Sequence, residues 1–528
     1  MTRTAPYLLL YLISLAIRVA ALPDAFDTAD KIFHPFPAMN LFHLPWITPN
    51  LRHSKIGAFL TYPYGIVLIF YYGWFSFLNA IHVPITEFTI GLLCALLGSF
   101  VPVVFFKILQ RYFSISVSLT LSFIVAFWHA HLLRSTSPYS IVLTLGLLGI
   151  LVVSHFLITY LDNPNKNNAR NLALSIFGHF LSCQTAILFG PVWLFFVLRS
   201  KKSILDLWKN GLVKTFLFCF GSLVIIYLCS WKALNNPYVT VIGKLFSKGG
   251  HESFDPLQVL LDYRKGIGWL STLIVFLSFI WGTWSLAKKK KNLLVVLLLA
   301  LGIFYSVPLL FLSKATVVSA YAYESQSIFF LLAVILSGLN RYRHFLIPTL
   351  FLLVTFETVT SFVLKWPTHM PNLGIERDYS LNPRIDIKAA GFLLRDKYPN
   401  SNLKVVSDVE PVLANYYFGN RSIFSTYDST QYQDIELLRY ALTHNLADIA
   451  IFDETTVNHS RLGQLIKTRC IRWKVGNKVF LELDTKHRCA QMDVSAIEYA
   501  KGFNETYNTV EQIHPKWVPH PYPQFLPK

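Results

Sequence analysis

Between Pro6 and Trp366 the chain alternates long apolar runs with short polar or basic breaks, and then continues for about 160 mostly polar residues. Runs long enough to cross a bilayer, which needs about 20 apolar residues, occur at 6–22, 86–109, 115–133, 138–161, 212–233, 268–287, 292–313, 317–338 and 344–364. The stretch 170–199 is apolar for longer and contains Gly190-Pro191, so it reads as two short spans broken near Phe189-Gly190-Pro191. The segment 57–81 is apolar too, but Tyr62, Pro63, Tyr64, Tyr71, Tyr72 and Trp74 crowd it. Aromatics of that density belong at headgroup level, so it is expected to lie along the interface as a helix. Eleven spans result.

Composition agrees. The chain is 53% hydrophobic and 14% charged, where a soluble globular protein carries about 25% charged residues. The net charge of +18 raises nucleic acid as a partner. The basic residues sit beside apolar runs, however, as in cytoplasmic loops that touch anionic lipid, and no basic helix or RNA-binding signature occurs. Membrane lipids are therefore the expected partner, and nucleic acid is not.

The basic breaks test the span count. With Arg3 in the cytoplasm, alternation puts Lys107/Arg111, Lys166/Arg170, Arg199 to Lys209, Lys288 to Lys291 and Arg341/Arg343 on the same side. Counting 57–81 as a span would break that agreement. The first run has no clean small-x-small cleavage site after it and is expected to be a retained anchor helix. The non-cytoplasmic side then receives the loop 23–57, the segment around Arg134, the loop 234–267 and everything after residue 366. The expected domains are a transmembrane part, 1–366, and an extracytoplasmic part, 367–528. The bilayer is either a bacterial inner membrane or an endoplasmic reticulum membrane.

The tail alternates helix and strand: a helix from Asp386 to Arg395, a strand at Leu403 to Val406, an amphipathic helix from Tyr432 to Asn445, and strands at Ala447 to Phe452, Cys470 to Val475 and Val479 to Leu483. This is the pattern of a small α/β domain. No Gly-rich loop follows a strand, so no nucleotide site is expected. Cys94, Cys183, Cys219 and Cys229 lie in apolar runs as buried thiols, while Cys470 and Cys489 lie in the tail, where an oxidising compartment would let them pair. The tail also holds Asn-x-Ser/Thr triplets at Asn420, Asn458 and Asn504.

The chemistry is expected in the first outer loop. Asp24, Asp27 and Asp30 follow the first span directly, and carboxylates at the mouth of a membrane bundle cost desolvation energy. One reading is a solvated loop that caps a helix. The other is a general base, a ligand set for a divalent cation, or both. His34 and His43 are near in sequence, and Arg52, His53, Ser54 and Lys55 close the loop. Basic groups there suit a phosphate leaving group on a lipid. Arg134, in Leu133-Arg134-Ser135-Thr136-Ser137-Pro138-Tyr139, is a further phosphate candidate. His129 and His131, two apart, point to different faces of a helix and make a weak metal signal. No spacing of Cys and His marks a metal site.

Three of these features coincide with a known pattern. Arg18 lies in the first span ahead of an acidic outer loop, Tyr62-Pro63-Tyr64-Gly65 opens an aromatic interfacial segment, and Leu133 to Tyr139 precedes a Leu-rich span. In this the first ~160 residues resemble the GT-C membrane glycosyltransferases, especially the protein O-mannosyltransferases and the lipid A aminoarabinose transferases. The resemblance implies a polytopic α-helical membrane protein of GT-C type with a small C-terminal α/β domain. It implies transfer of a sugar from a polyprenyl-phosphate donor to a lipid, glycan or protein acceptor, with inversion. The acid of the first outer loop would be the base, which here is Asp30 or Asp27, since Lys31 stands where relatives have a second acid. Lys55, Arg52, Arg134 and His34 would contact the phosphate, and Tyr62 and Tyr64 the donor. Tyr323 to Gln326 stands where relatives commonly have an Arg. The rival reading is a lipid or glycan transporter or flippase. Such proteins often show inverted repeats, and none is visible here.

Overall fold

A computed structural model describes residues 4–22, 26, 34–41, 46–47, 54–61, 65–138, 141–182, 190–199, 204–209, 211–234, 344–356, 385–398, 403–409, 411–419, 422–425, 447–454, 470–475, 478–482 and 492–494, with a few single positions between 277 and 359. The chain clusters into two compact units. The first takes residues 1–22, 45–67 and 92–380, and the second takes 23–44, 68–91 and 381–528.

The N-terminal helices are α1 (Ala5–Ala20), α2 (Pro35–Asn40), α3 (Lys55–Thr61) and α4 (Gly65–Ala80). They are followed by α5 (Glu87–Gly98), α6 (Phe100–Leu109), α7 (Ile115–Phe127), α8 (His129–Thr136) and α9 (Ile141–Asp162). Then come α10 (Lys166–Ser182), α11 (Gly190–Arg199), α12 (Ile204–Lys209), α13 (Leu212–Leu234) and α14 (His344–Phe356). Among the described residues two stretches are long and apolar enough to cross a membrane, Glu87–Leu109 and Ile141–Asp162. They match the runs expected at 86–109 and 138–161. The runs at 268–287, 292–313 and 317–338 lie largely outside the described residues.

In the first unit α9 is apolar on every face and largely buried, as a helix without a polar side must be. It pairs with α10 across a short turn. There Asn165 Oδ1 accepts the Asn168 N–H (2.8 Å) and Asn168 Nδ2 donates to the Asn163 carbonyl (2.7 Å), which supplies the start of α10. At the same end Arg111 pairs with Asp162 (3.2 Å) and donates to Thr159. In α1 the buried face is Leu10, Ser14 and Arg18, four residues apart, so two of its three buried positions are polar.

One segment differs from expectation. The span expected over 115–133 stops at Phe127: Trp128 is extended (φ −63°, ψ 123°), and 129–136 form a separate helix. The apolar run has ended there, and Ser137, held extended ahead of Pro138, closes the new helix. Within the interfacial helix expected over 57–81, the described residues belong to α3 and α4, and Tyr62, Pro63 and Tyr64 lie outside the described residues. In 170–199 the described residues belong to α10, which runs to Ser182, and α11, which starts at Gly190 with Pro191 in its first turn, where proline suits; residues 183–189 lie outside the described residues.

In the second unit Glu87 starts its helix behind a reciprocal cap. Thr86 N–H donates to Thr89 Oγ1 (2.7 Å), and Thr89 N–H donates to Thr86 Oγ1 (3.3 Å). The C-terminal part comprises α15 (Ile385–Lys397), β1 (Val405–Ser407), α16 (Pro411–Phe418), β2 (Ser422–Ser425), β3 (Ile449–Asp453), β4 (Cys470–Val475), β5 (Lys478–Glu482) and β6 (Met492–Val494). The sheet order is β2-β1-β3-β5-β4-β6. Parallel pairs join β1 to β2 and β3, β5 runs antiparallel to β3 and β4, and β6 is parallel to β4. The helix expected from Asp386 and the strands at 403–406, 447–452, 470–475 and 479–483 are present. Helix α16 and strands β2 and β6 are additional, being too short for periodicity to show them. Tyr432 to Asn445 and Cys489 lie outside the described residues. Gly391 lets α15 approach α16: a Cβ there would sit 2.6 Å from the Tyr417 carbonyl oxygen. Cys94 and Cys219 are buried free thiols.

Candidate functional site

Two buried polar clusters stand out, one in each unit. The first is centred on Arg18, which is wholly buried near the end of α1. Its Nε donates to Ser135 Oγ (2.8 Å), and its Nη1 donates to the Ser14 carbonyl (2.9 Å), Ser14 Oγ (2.5 Å) and the Ala126 carbonyl (3.4 Å). Ser135 Oγ in turn donates a hydrogen bond to the His131 carbonyl (2.7 Å). The structure thus joins two of the features behind the family resemblance, the arginine of the first span and the Leu133–Tyr139 motif, through one hydrogen bond across 117 residues.

Gly98 and Pro102 complete this cluster. Proline at 102 has no N–H for the carbonyl four residues earlier, so Gly98 is denied its helical partner. His131 Nε2 takes that place and donates to the Gly98 oxygen at 3.2 Å. A carbonyl can only accept, so His131 carries its proton on Nε2. Ser99 Oγ bonds back to the Ala95 carbonyl (2.6 Å), a contact that bends helices, and the break between α5 and α6 falls there.

The second cluster starts at Phe26, inside the acidic loop and wholly buried. Its N–H donates to Tyr417 Oη (3.0 Å), and its ring meets Tyr416 edge-on at 5.4 Å. Tyr417 Oη donates in turn to Glu87 Oε1 (3.1 Å), and Lys388 Nζ lies 3.3 Å from Glu87 Oε2. The Glu87 and Lys388 side chains are only 5% and 6% exposed. Sequence reasoning did not single out Glu87, Lys388 or Tyr417. The available signal was Glu87 itself, one carboxylate opening a 23-residue apolar stretch.

Of the expected site residues, Asp24, Asp27, Asp30, Arg52, Tyr62 and Tyr64 lie outside the described residues. Lys55 begins α3, where Ser54 Oγ caps the helix by accepting the Gly57 N–H (2.9 Å). It is buried, with its ammonium 5.2 Å from the centre of the Trp46 ring. Arg134 is half-buried in the last turn of α8 and makes no hydrogen bond or ion pair with a described residue. Its guanidinium is available to an anion.

His34 is buried at the start of α2, and burial lowers its pKa to about 3. It is therefore neutral at pH 7, and any contact it makes with a phosphate is as an N–H donor, not as a cation. The unfolded chain, with a histidine pKa near 6.5, takes up the proton first. Stability is fully present above about pH 6.5 and is lost as the pH falls from there toward about 3. His34→Gln is expected to flatten the decline of melting temperature between pH 6.5 and 4 and to leave it unchanged above pH 7. Thermal melts of both proteins across that range check this, and parallel slopes would refute it.

No protein-family model matches this sequence, and no curated protein does. The solved structures that are similar include those of ArnT from Cupriavidus metallidurans in the apo state and bound to undecaprenyl phosphate. They are 12% and 11% identical to this chain, with TM-scores of 0.56 and 0.55. Each comparison covers 93% of this chain and 100% of the other. The chain thus shares the fold of the ArnT structures, and aminoarabinose transferases are among the proteins that its sequence resembles.

Proposed function

We propose that this chain transfers a sugar from a polyprenyl-phosphate carrier to a lipid, glycan or protein acceptor on the non-cytoplasmic face of a membrane. The observation that carries the reading is the likeness of fold, over 93% of the chain, to ArnT bound to undecaprenyl phosphate. Residues 1–366 form the catalytic membrane part in this reading, and 367–528 the extracytoplasmic α/β part.

Asp30 or Asp27 takes the proton of the acceptor hydroxyl. The acceptor oxygen attacks the anomeric carbon from the face opposite the carrier, a new C–O bond forms, and the bond to the phosphate oxygen breaks with its electron pair. Configuration inverts. Arg52, Lys55 and Arg134 balance the charge that builds on the departing phosphate, which is where preorganised cations contribute most. Neutral His34 adds an N–H donor. Tyr62 and Tyr64 hold the donor at headgroup depth. Because the donor comes from the bilayer, no nucleotide-binding domain is needed.

The test is to incubate the purified chain in lipid with radiolabelled polyprenyl-phosphate sugars and a membrane extract as acceptor source. Label should move to an acceptor, with release of polyprenyl phosphate. Label that crosses the bilayer of a sealed vesicle still attached to its carrier would show a flippase instead.

A further inference from the structure

The second cluster does something that a packing contact alone does not require. Phe26 sits between Ala25 and Asp27, and its backbone N–H is bound by a side chain 391 residues away. We propose that Tyr417 is a positioning residue for the acidic loop, holding the backbone at Phe26, the residue next to Asp27 in the chain.

The direction of the hydrogen bonds carries the argument. A phenol has one proton. Glu87 accepts it at 3.1 Å, which leaves the Tyr417 oxygen to accept the Phe26 N–H at 3.0 Å. Lys388, 3.3 Å from the second Glu87 oxygen, balances the carboxylate. A buried ion pair of this kind adds little net stability over apolar residues of equal volume, yet it is sensitive to the loss of one partner. It fits a device that holds one geometry. The Tyr416 ring against Phe26, at 5.4 Å, closes the other side.

Consecutive Cα atoms are about 3.8 Å apart, and the anchor at Phe26 lies one residue from Asp27 and four from Asp30 along the chain. A displacement of about 1 Å at a reacting group costs on the order of 100-fold in rate. Tyr417, from the C-terminal part of the chain, therefore sets how well the loop can act as base. The kinetic half of this proposal rests on the transferase reading above, and the structural half does not.

The test is Tyr417→Phe in the full chain in detergent or lipid. Phenylalanine keeps the ring and removes only the hydroxyl. Hydrogen–deuterium exchange of the peptide containing residue 26 is expected to quicken by about 10-fold or more. With a labelled polyprenyl-phosphate sugar, kcat is expected to fall by about 10-fold, while KM for the donor stays within about 2-fold. Combining Tyr417→Phe with Asn at whichever of Asp27 and Asp30 proves essential should lose little more than the Asn variant alone, because the tyrosine acts through that carboxylate. A purely structural role would multiply the two losses. Unchanged exchange and kcat in Tyr417→Phe overturns the proposal. If the wild type transfers no sugar, the functional reading fails, and exchange alone decides the anchor. If Tyr417→Phe does not accumulate, exchange in the wild type decides: a Phe26 amide as fast as in an unfolded peptide overturns the proposal.

Discussion

Asp30→Asn is expected to lower turnover by about 100-fold or more, within the range for losing a general base, and to leave membrane insertion and chromatographic behaviour unchanged. Asparagine is nearly isosteric with aspartate, so the loop keeps its shape, but the amide cannot take a proton from an alcohol. Asp30 is the first choice because the sequence resemblance sets it at the acidic position of that family. Asp27 lies three residues before it, a spacing that on a helix would set both on one face, where they could share the acceptor's proton. Asp27→Asn should therefore be weaker but measurable, and Asp24→Asn near neutral. Turnover with a labelled donor, measured for all three variants at equal amounts of folded protein, separates the cases. Full activity in Asp30→Asn together with none in Asp27→Asn exchanges their roles. Full activity in both reduces the loop to a helix cap and ends the mechanism proposed.

The parts of the fold that could be read from sequence are those set by local physics. A run of about 20 apolar residues has few fates, which is why 6–22, 86–109 and 138–161 correspond to α1, α5–α6 and α9. Strands β3, β4 and β5 were visible for the same reason, as short β-branched or aromatic runs between polar breaks. The breaks within apolar runs were harder. Hydropathy is blind to a carbonyl left without its donor, so Gly98-Ser99 ahead of Pro102 looked like the middle of one span. The polar clusters were harder still. Arg18 and Ser135 each drew notice as part of a motif, but nothing in either stretch says that they meet. Glu87 and Lys388 are 301 residues apart, and Tyr417 sits in a helix too short to have a period. Contacts of that range follow from tertiary packing, and only the cost of burying a charge hints at them beforehand.

Gly98→Ala should be among the most damaging single-methyl additions in the chain. A Cβ at Gly98 would lie 2.3 Å from Ser135 Cβ and 3.1 Å from both Arg18 Nε and Ser135 Oγ. Ser135 Cβ is fixed to the backbone of α8, so no rotamer change relieves the overlap, and α8 must move. That movement pulls Ser135 Oγ away from Arg18 Nε, now 2.8 Å apart, and His131 Nε2 away from the Gly98 carbonyl, now 3.2 Å. Overpacking alone costs about 1–3 kcal/mol, and a buried charged group that loses a hydrogen bond adds about 1.5–3 kcal/mol. The expected result is a loss of several degrees or more in melting temperature, or no monodisperse protein at all. Gly178→Ala is the control: nothing lies within 4 Å of a Cβ there, and alanine in a helix interior is about 0.5–1 kcal/mol better than glycine. Adding Ser135→Gly to Gly98→Ala removes the colliding atom but also the oxygen that Arg18 Nε uses. It should restore part of the stability and not all of it. Full restoration would mean that the arginine–serine bond contributes nothing, and no restoration would mean that the clash lies elsewhere. Thermal melts of the four proteins in one detergent distinguish these outcomes, and a Gly98→Ala protein as stable as wild type would refute the close approach of α5 and α8.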